Sequence, residues 1–286
     1  MLMTEITGKL FTGERALFAS EDLALKDVIF ADGESPLKES RDILLDGCEF
    51  RWKYPLWYCK NVKVGRTAWQ DTARAGVWYS DGAEFTSCVI RAPKTFRRCR
   101  GLLLRDVDLF NAAETLWSCE DVVLERVTAR GDYFGMNSRG LKIKDFRLDG
   151  NYAFDGARDI EITDSVMLTK DAFWNSENVT VRDSYISGEY FGWNSKNITL
   201  INCTVSSLQG MCYIENLVMI NCKTPDTTLA FEYSSVDAEI SGEIGSVFNP
   251  SSGRISAGRI GETTLDEKRI DPSKTLIEER EEKSAE

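Results

Sequence analysis

The sequence predicts an all-β chain: a single-stranded right-handed parallel β-helix, a solenoid of about 13 coils of 19–21 residues each. Three observations predict it. Residues 170–205 restate themselves after 19 residues, so that Trp193 falls under Trp174, Asn194 under Asn175, Ser195 under Ser176 and Asn197 under Asn178. A fixed period near 20 marks a stacked-repeat architecture. Apolar residues then recur in paired columns two apart along most of the chain, the alternation of a strand with one buried face. Finally, the residue before each pair is Asp, Asn or Gly eleven times in succession. Those residues tolerate a left-handed backbone or bond their own turn, so a corner must occupy the same place in every coil.

Taken in chain order, the first apolar column reads Leu23, Ile43, Val62, Ala83, Leu102, Val122, Leu141, Ile160, Val179, Ile198 and Leu217, then Val236 and Ile255 with a fainter signal. Its partner two residues on begins Leu25, Leu45, Val64 and Phe85. Five and seven residues on lie further inward pairs, such as Cys48 with Phe50 and Cys203 with Val205. The corner column runs Asp22, Asp42, Asn61, Gly82, Gly101, Asp121, Gly140, Asp159, Asn178, Asn197, Asn216. Helical repeats need 3.6-residue periodicity, which is missing, and leucine-rich repeats lack the fixed corner followed by two short strands. The hand follows from the strong preference of parallel crossovers. The helix is expected over residues 1–262, with 1–20 as a partial first coil that covers an open end. Residues 263–286 are charge-rich and read either as a short cap helix through Leu276 and Ile277, the preferred reading, or as a solvated tail.

The bulk properties exclude several functions. A net charge of −11 leaves no basic surplus to neutralise phosphates, so no nucleic-acid partner is expected. No run of about 18 apolar residues exists to span a membrane, and the start lacks the charged and apolar regions of a secretory signal, so a cytoplasmic location is expected. Histidine is absent, which removes Ser-His-Asp and Cys-His catalysis and histidine-ligated zinc together. The eight cysteines contain no CxxC pair and fall in inward columns, where small side chains pack a narrow coil; they are expected to be reduced and structural. No cofactor and no metal site are expected. A calcium site from the abundant acids is no better supported than any other arrangement of them.

Chemistry is expected on the third strand of each coil, just before the corner. A polar ladder runs Glu34, Lys53, Arg74, Lys94, Glu114, Asp132, Asn151, Lys170, Glu189 and Gln209, and four residues further along lies an aromatic-rich column with Trp57, Trp78, Arg97, Trp117, Asp155, Trp174, Trp193, Cys212 and Phe231. Burying so many ionisable groups would cost more than it returns unless all were paired, so this face should point outward and Leu37, Leu56, Val77, Phe96, Leu116, Phe154 and Phe173 inward. The tryptophans then read as a platform for sugar rings, or as a surface covered by a partner. Lys53, Arg74, Lys94 and Arg97 form a basic block fit for an anionic ligand, or one neutralised by neighbouring carboxylates; Lys94 over Glu114 and Lys170 over Glu189 already fit as cross-coil pairs. Carboxylates one coil apart, Glu114 with Asp132 or Asp155 with Asp171, suit acid and base roles at a glycosidic bond.

Six short stretches carry a resemblance: 11–18 (FTGERALF), 33–40 (GESPLKES), 52–57 (WKYPLW), 92–97 (APKTFR), 170–174 (KDAFW) and 188–194 (GEYFGWN). With them the chain resembles a bacterial family, domain-of-unknown-function family 3737, over about residues 11–260. The resemblance implies a pectin-lyase-like right-handed β-helix and no particular catalytic residues. The wider group contains polysaccharide lyases, hydrolases and esterases, mostly secreted.

These readings together lead to a carbohydrate-binding or carbohydrate-active β-helix that takes an acidic sugar or oligosaccharide. Lys53, Arg74, Lys94 and Arg97 would hold its carboxylate; Trp57, Trp78, Trp117, Trp174 and Trp193 would stack its rings, with Asp155, Lys170 and Glu189 beside them. Glu114 and Asp132 are the candidates for proton transfer. The alternative is a non-catalytic scaffold or interaction module whose Trp face docks a protein or a second copy of the chain.

Overall fold

Leu23 sits in parallel register with Ile43, Ile43 with Val62, Val62 with Ala83, Ala83 with Leu102, Leu102 with Val122 and Val122 with Leu141. This is the order of the first apolar column. The same holds from Ile160 through Val179, Ile198 and Leu217 to Val236. The structure, a computed structural model, describes residues 3–280. It is an all-β parallel solenoid of about 15 turns, in two compact units, Met1–Asp149 and Gly150–Glu286. The two turns beyond the expected thirteen are strands that apolar periodicity does not reveal. Thr4–Thr7 pairs with the strand carrying Leu23, and Thr275–Glu279 pairs with Ser252–Thr264.

Two expectations near the C-terminus are corrected. Val236 registers with Gly253, and Ile255 pairs two residues on with Ala238. Glycine occupies the first position because a Cβ there would stand 1.9 Å from the Val236 carbonyl oxygen, so the apolar column has a gap that hides the true start of the coil. The stretch read as a cap helix is instead the strand Thr275–Glu279, preceded by a one-turn 3-10 segment, Pro272–Lys274. Leu276 is exposed and Ile277 is in register with Ile255, so the alternation has period two. Arg254 bonds Glu278, which ties the strand to the coil before it. The remainder of the expected tail, 281–286, lies outside the described residues.

Within each unit the inward columns form the core. Phe11, Phe30, Phe50 and Trp69 stack coil on coil with ring centroids 5.5, 4.8 and 4.7 Å apart. In the second unit Phe154 stacks on Phe173, and Phe173 meets Phe191 edge to face. Each of these rings beyond the half-buried Phe11 contributes roughly 1.5–3 kcal/mol. All eight cysteines are buried, unpaired thiols. Burial pushes the acidity of Cys59 and Cys212 down, each to a pKa of about 12, so these two are poor nucleophiles.

All eleven residues of the corner column have left-handed φ, between 51° and 67°. Where Asn or Asp holds the corner, the side chains also bond between coils. Asn178 donates to Asp159 at 2.9 Å, Asn197 to Asn178 at 3.0 Å and Asn216 to Asn197 at 2.9 Å. Asn178→Val is therefore expected to cost about 1–3 kcal/mol, through a β-branched residue at positive φ and the loss of two rungs. An unchanged thermal midpoint would contradict that account.

The coil has more corners than the sequence announces. Left-handed φ also recurs at Gly47, Arg66 and Ser87, at Tyr54, Ala75 and Lys94, and at Tyr58, Tyr79 and Arg98, giving four corners per coil. The last two columns carry Tyr, Lys and Arg, for which this backbone costs roughly 1–2 kcal/mol each. Bonds to the next coil hold it: Tyr58 N–H donates to Trp78 O at 2.9 Å, and Tyr79 N–H to Arg97 O at 3.0 Å.

Candidate functional site

The third face does point outward as expected. Leu37, Leu56, Val77, Phe96, Leu116, Phe154 and Phe173 are all fully buried. Trp57, Trp78, Trp117, Trp174 and Trp193 are half-buried between them and solvent. The outward column fails further on, where Cys212 and Phe231 turn into the core.

In the first unit the tryptophans stack along the coil direction, with their faces turned toward one another. Trp57 and Trp78 lie 5.0 Å apart at 5°. The Arg97 guanidinium then sits 4.7 Å from the Trp78 ring and 4.6 Å from Trp117. The indole N–H groups of Trp57 and Trp78 donate to Ala75 O and Lys94 O one coil on. Trp78 is thus covered on both faces, and Trp57 and Trp117 each on one. This corrects the platform reading for Trp78, which is a rung of a π–cation stack between Trp57 and Arg97. Trp193 is similarly stacked on Tyr213, at 4.6 Å and 15°. Trp174 stacks on no ring among the described residues.

The basic block is largely neutralised. Lys53 Nζ lies 3.2 Å from Glu34, Lys94 Nζ 3.1 Å from Glu114 Oε1, and Arg97 Nη2 3.0 Å from Glu114 Oε2. Three of the four cations expected to bind an anion are thus paired, and only Arg74 is exposed without a carboxylate partner among the described residues. The same contacts bear on the role given to Glu114, each of whose oxygens holds a cation. Asp132 stands one coil on, its carbonyl accepting the Glu114 N–H at 2.9 Å.

In the second unit, Lys170 bonds Glu189 at 3.2 Å and lies over the Tyr190 ring at 5.2 Å. Asp155 accepts from Asn175 Nδ2 at 3.0 Å, and Asn194 from its side donates to Asn175 at 2.8 Å. Asp155 is thus the foot of an amide ladder. Its intended partner Asp171 is buried, with only 8% of its surface exposed. Burial raises the Asp171 carboxyl above the usual carboxylate value; Lys170 opposes the rise, and Glu189 and Asp155 add to it. A raised folded value means the folded state holds the proton more tightly than the unfolded one. Stability should therefore fall as pH rises from the ordinary carboxylate value through the raised one, and the full cost is present above it. Asp171→Asn, which suits the left-handed corner equally well, is expected to raise the thermal midpoint at pH 7 and to leave it unchanged at low pH. A lower midpoint at pH 7 would show that the ionised carboxylate is stabilising.

Sequence reasoning missed the second stack of this face, in the neighbouring corner column. Tyr58 and Tyr79 lie 4.9 Å apart at 5°, and Arg98 lies 5.8 Å over Tyr79 on the next coil. Both tyrosines are substantially exposed, at 47% and 36%, and their hydroxyls have no hydrogen-bond partner among the described residues. The signal was an aromatic pair directly after Trp57 and Trp78; it was hidden because tyrosine is an unexpected corner residue. Among the described residues, no three Cys, Asp or Glu side chains converge as a metal site. Among the described residues no helix is long and apolar enough to cross a membrane.

No curated protein matches the chain in sequence. Solved structures similar to it include PfbA, a surface adhesin of Streptococcus pneumoniae, at 7% identity and a TM-score of 0.42 over 91% of this chain and 81% of that one. The Azotobacter vinelandii mannuronan C-5 epimerase AlgE4 A-module is 10% identical, with a TM-score of 0.29 over 96% and 89%. The periplasmic alginate epimerase AlgG is 12% identical, with a TM-score of 0.27 over 96% and 75%. Likeness at this level carries no argument about what the chain binds. A family model matches residues 4–278, and the chain belongs to that family, described as Protein of unknown function (DUF3737).

Proposed function

We propose that the protein is a binding solenoid that holds an extended acidic oligosaccharide along the column of Tyr58, Tyr79, Arg98 and Ser118. One observation carries this reading: the column offers one uncommitted hydroxyl or cation per coil, with the tyrosine rings 4.9 Å apart. A linked sugar chain repeats on a similar length, so each residue would meet an equivalent donor. The ligand is read through hydroxyls and ring edges, because the ring faces are taken. Its carboxylates fall to Arg98 and Arg74, two cations of this region without carboxylate partners among the described residues. The eight unpaired thiols support a reducing, cytoplasmic setting.

The test is calorimetric titration with a galacturonate tetramer and with a neutral glucose tetramer. The acidic tetramer should bind more tightly, and added salt should weaken it. Tyr58→Phe and Tyr79→Phe keep the stack and remove the hydroxyls. Each should lower affinity by roughly threefold to tenfold, the worth of one hydrogen bond. Absence of binding by both tetramers would overturn the reading. The covered ring faces and paired cations favour a second reading, a non-catalytic scaffold docking a protein or another copy. It predicts no response to either sugar and a solution mass that rises with concentration.

A further inference from the structure

The two stacks on the third face of the first unit end differently. In the tryptophan column, Arg97 is enclosed on both sides, by Trp78 at 4.7 Å and Trp117 at 4.6 Å. In the neighbouring column, Arg98 has Tyr79 on one side at 5.8 Å. On the other side, one coil on, stands Ser118, whose N–H donates to Met136 O and whose hydroxyl has no partner among the described residues. Serine is too short to reach over a guanidinium. The place a ring would take is an open-sided depression of about 370 Å³, lined by Arg98, Cys99, Arg100, Ser118 and Glu120.

We infer that this depression is a binding site for a planar aromatic ring bearing a carboxylate, which completes the stack as its missing rung. The volume falls within the range of small-molecule sites. The ring lies on the guanidinium of Arg98, as Trp117 lies on Arg97. Its carboxylate is drawn by the charge of Arg98, which has no carboxylate within ion-pair distance among the described residues, and accepts a hydrogen bond from the Ser118 hydroxyl. Arg100 is not available to compete: it bonds Glu120 Oε2 at 2.6 Å, and Arg139 shares the same oxygen at 3.1 Å. The ligand class follows from two independent demands, a flat π surface for the stack and a negative charge for the unpaired cation. The inference does not depend on the oligosaccharide reading.

Indole-3-acetate is a suitable probe, with cyclohexaneacetate as the anion without a ring face and indole-3-ethanol as the ring without a charge. Titration followed by calorimetry and by the Arg98 Nε–H resonance should show saturable binding of indole-3-acetate. Each control should bind about tenfold more weakly or worse. Ser118→Trp supplies the rung from the chain itself; it should abolish binding while leaving the thermal midpoint level or raised, since Tyr58 and Tyr79 already sit at the same left-handed corner. Arg98→Gln should weaken binding about tenfold or more without unfolding the protein, and decides the matter should Ser118→Trp misfold. Binding that is unsaturable, equal for the three probes, or untouched by Arg98→Gln overturns the inference. The oligosaccharide column shares Arg98 and Ser118 with this depression but also needs Tyr58, so weakened oligosaccharide binding in Tyr58→Phe with indole-3-acetate binding intact shows that ring binding stands without the oligosaccharide reading.

Discussion

Gly188→Ala is expected to cost about 3–5 kcal/mol, or to prevent folding of the surrounding coils. A Cβ on Gly188 would stand 2.1 Å from the Thr169 carbonyl oxygen and 2.5 Å from its carbon, while φ is +154°. The obstruction is the backbone of the preceding coil, which no rotamer change can move aside. Gly188 N–H donates to Ser206 O at 3.0 Å on the following coil, so the glycine cannot withdraw without breaking a rung. Gly242→Ala is the matched control in the same unit: φ is +85°, with nothing within 4 Å of the added carbon. It should cost only the strain of a positive φ, roughly 1 kcal/mol. Thermal midpoints of the two variants measure the difference. Equal losses would show that conformational strain, and not the close approach of coils, governs this position.

Arg97→Ala is expected to lose about 2–4 kcal/mol. The guanidinium gives two ring contacts, worth roughly 0.5–2 kcal/mol each, and one charge-assisted bond to Glu114, worth roughly 1.5–3 kcal/mol. Its removal leaves Trp78 and Trp117 facing a gap and Glu114 with Lys94 alone. Arg97→Lys should recover part of the loss, because an ammonium can reach Glu114 but cannot fill a planar rung. Arg74→Ala, at an exposed cation with no partner among the described residues, should stay within about 0.5 kcal/mol of the parent. Denaturation midpoints with tryptophan fluorescence as the probe would establish the order. An Arg97→Ala protein as stable as Arg74→Ala would mean that the stack is decorative.

The sequence by itself determined the coil. Alternation of apolar side chains is local, so Leu23 with Leu25 and Cys48 with Phe50 disclose buried faces directly, and Asp, Asn or Gly at a left-handed turn discloses one corner of every coil. It also determined which side of the third strand is core, because the ionisable groups of the polar ladder cannot all be buried. The tertiary structure decided everything that depends on how neighbouring coils meet. Glu114 is about equally far in sequence from Lys94 and Arg97, and only the register and rotamers show that it holds both. The tryptophans announce an aromatic column, but whether they offer faces or edges depends on ring planes, and coils stacked about 4.8 Å apart force those planes together. Three corners per coil stayed hidden, among them that of Tyr58, Tyr79 and Arg98, which are poor residues for positive φ and are held there by bonds to the next coil. Gly253 and Thr275 were missed for a complementary reason. Each begins a coil without an apolar side chain, so only its pairing partners, Val236 and Gly253, reveal it.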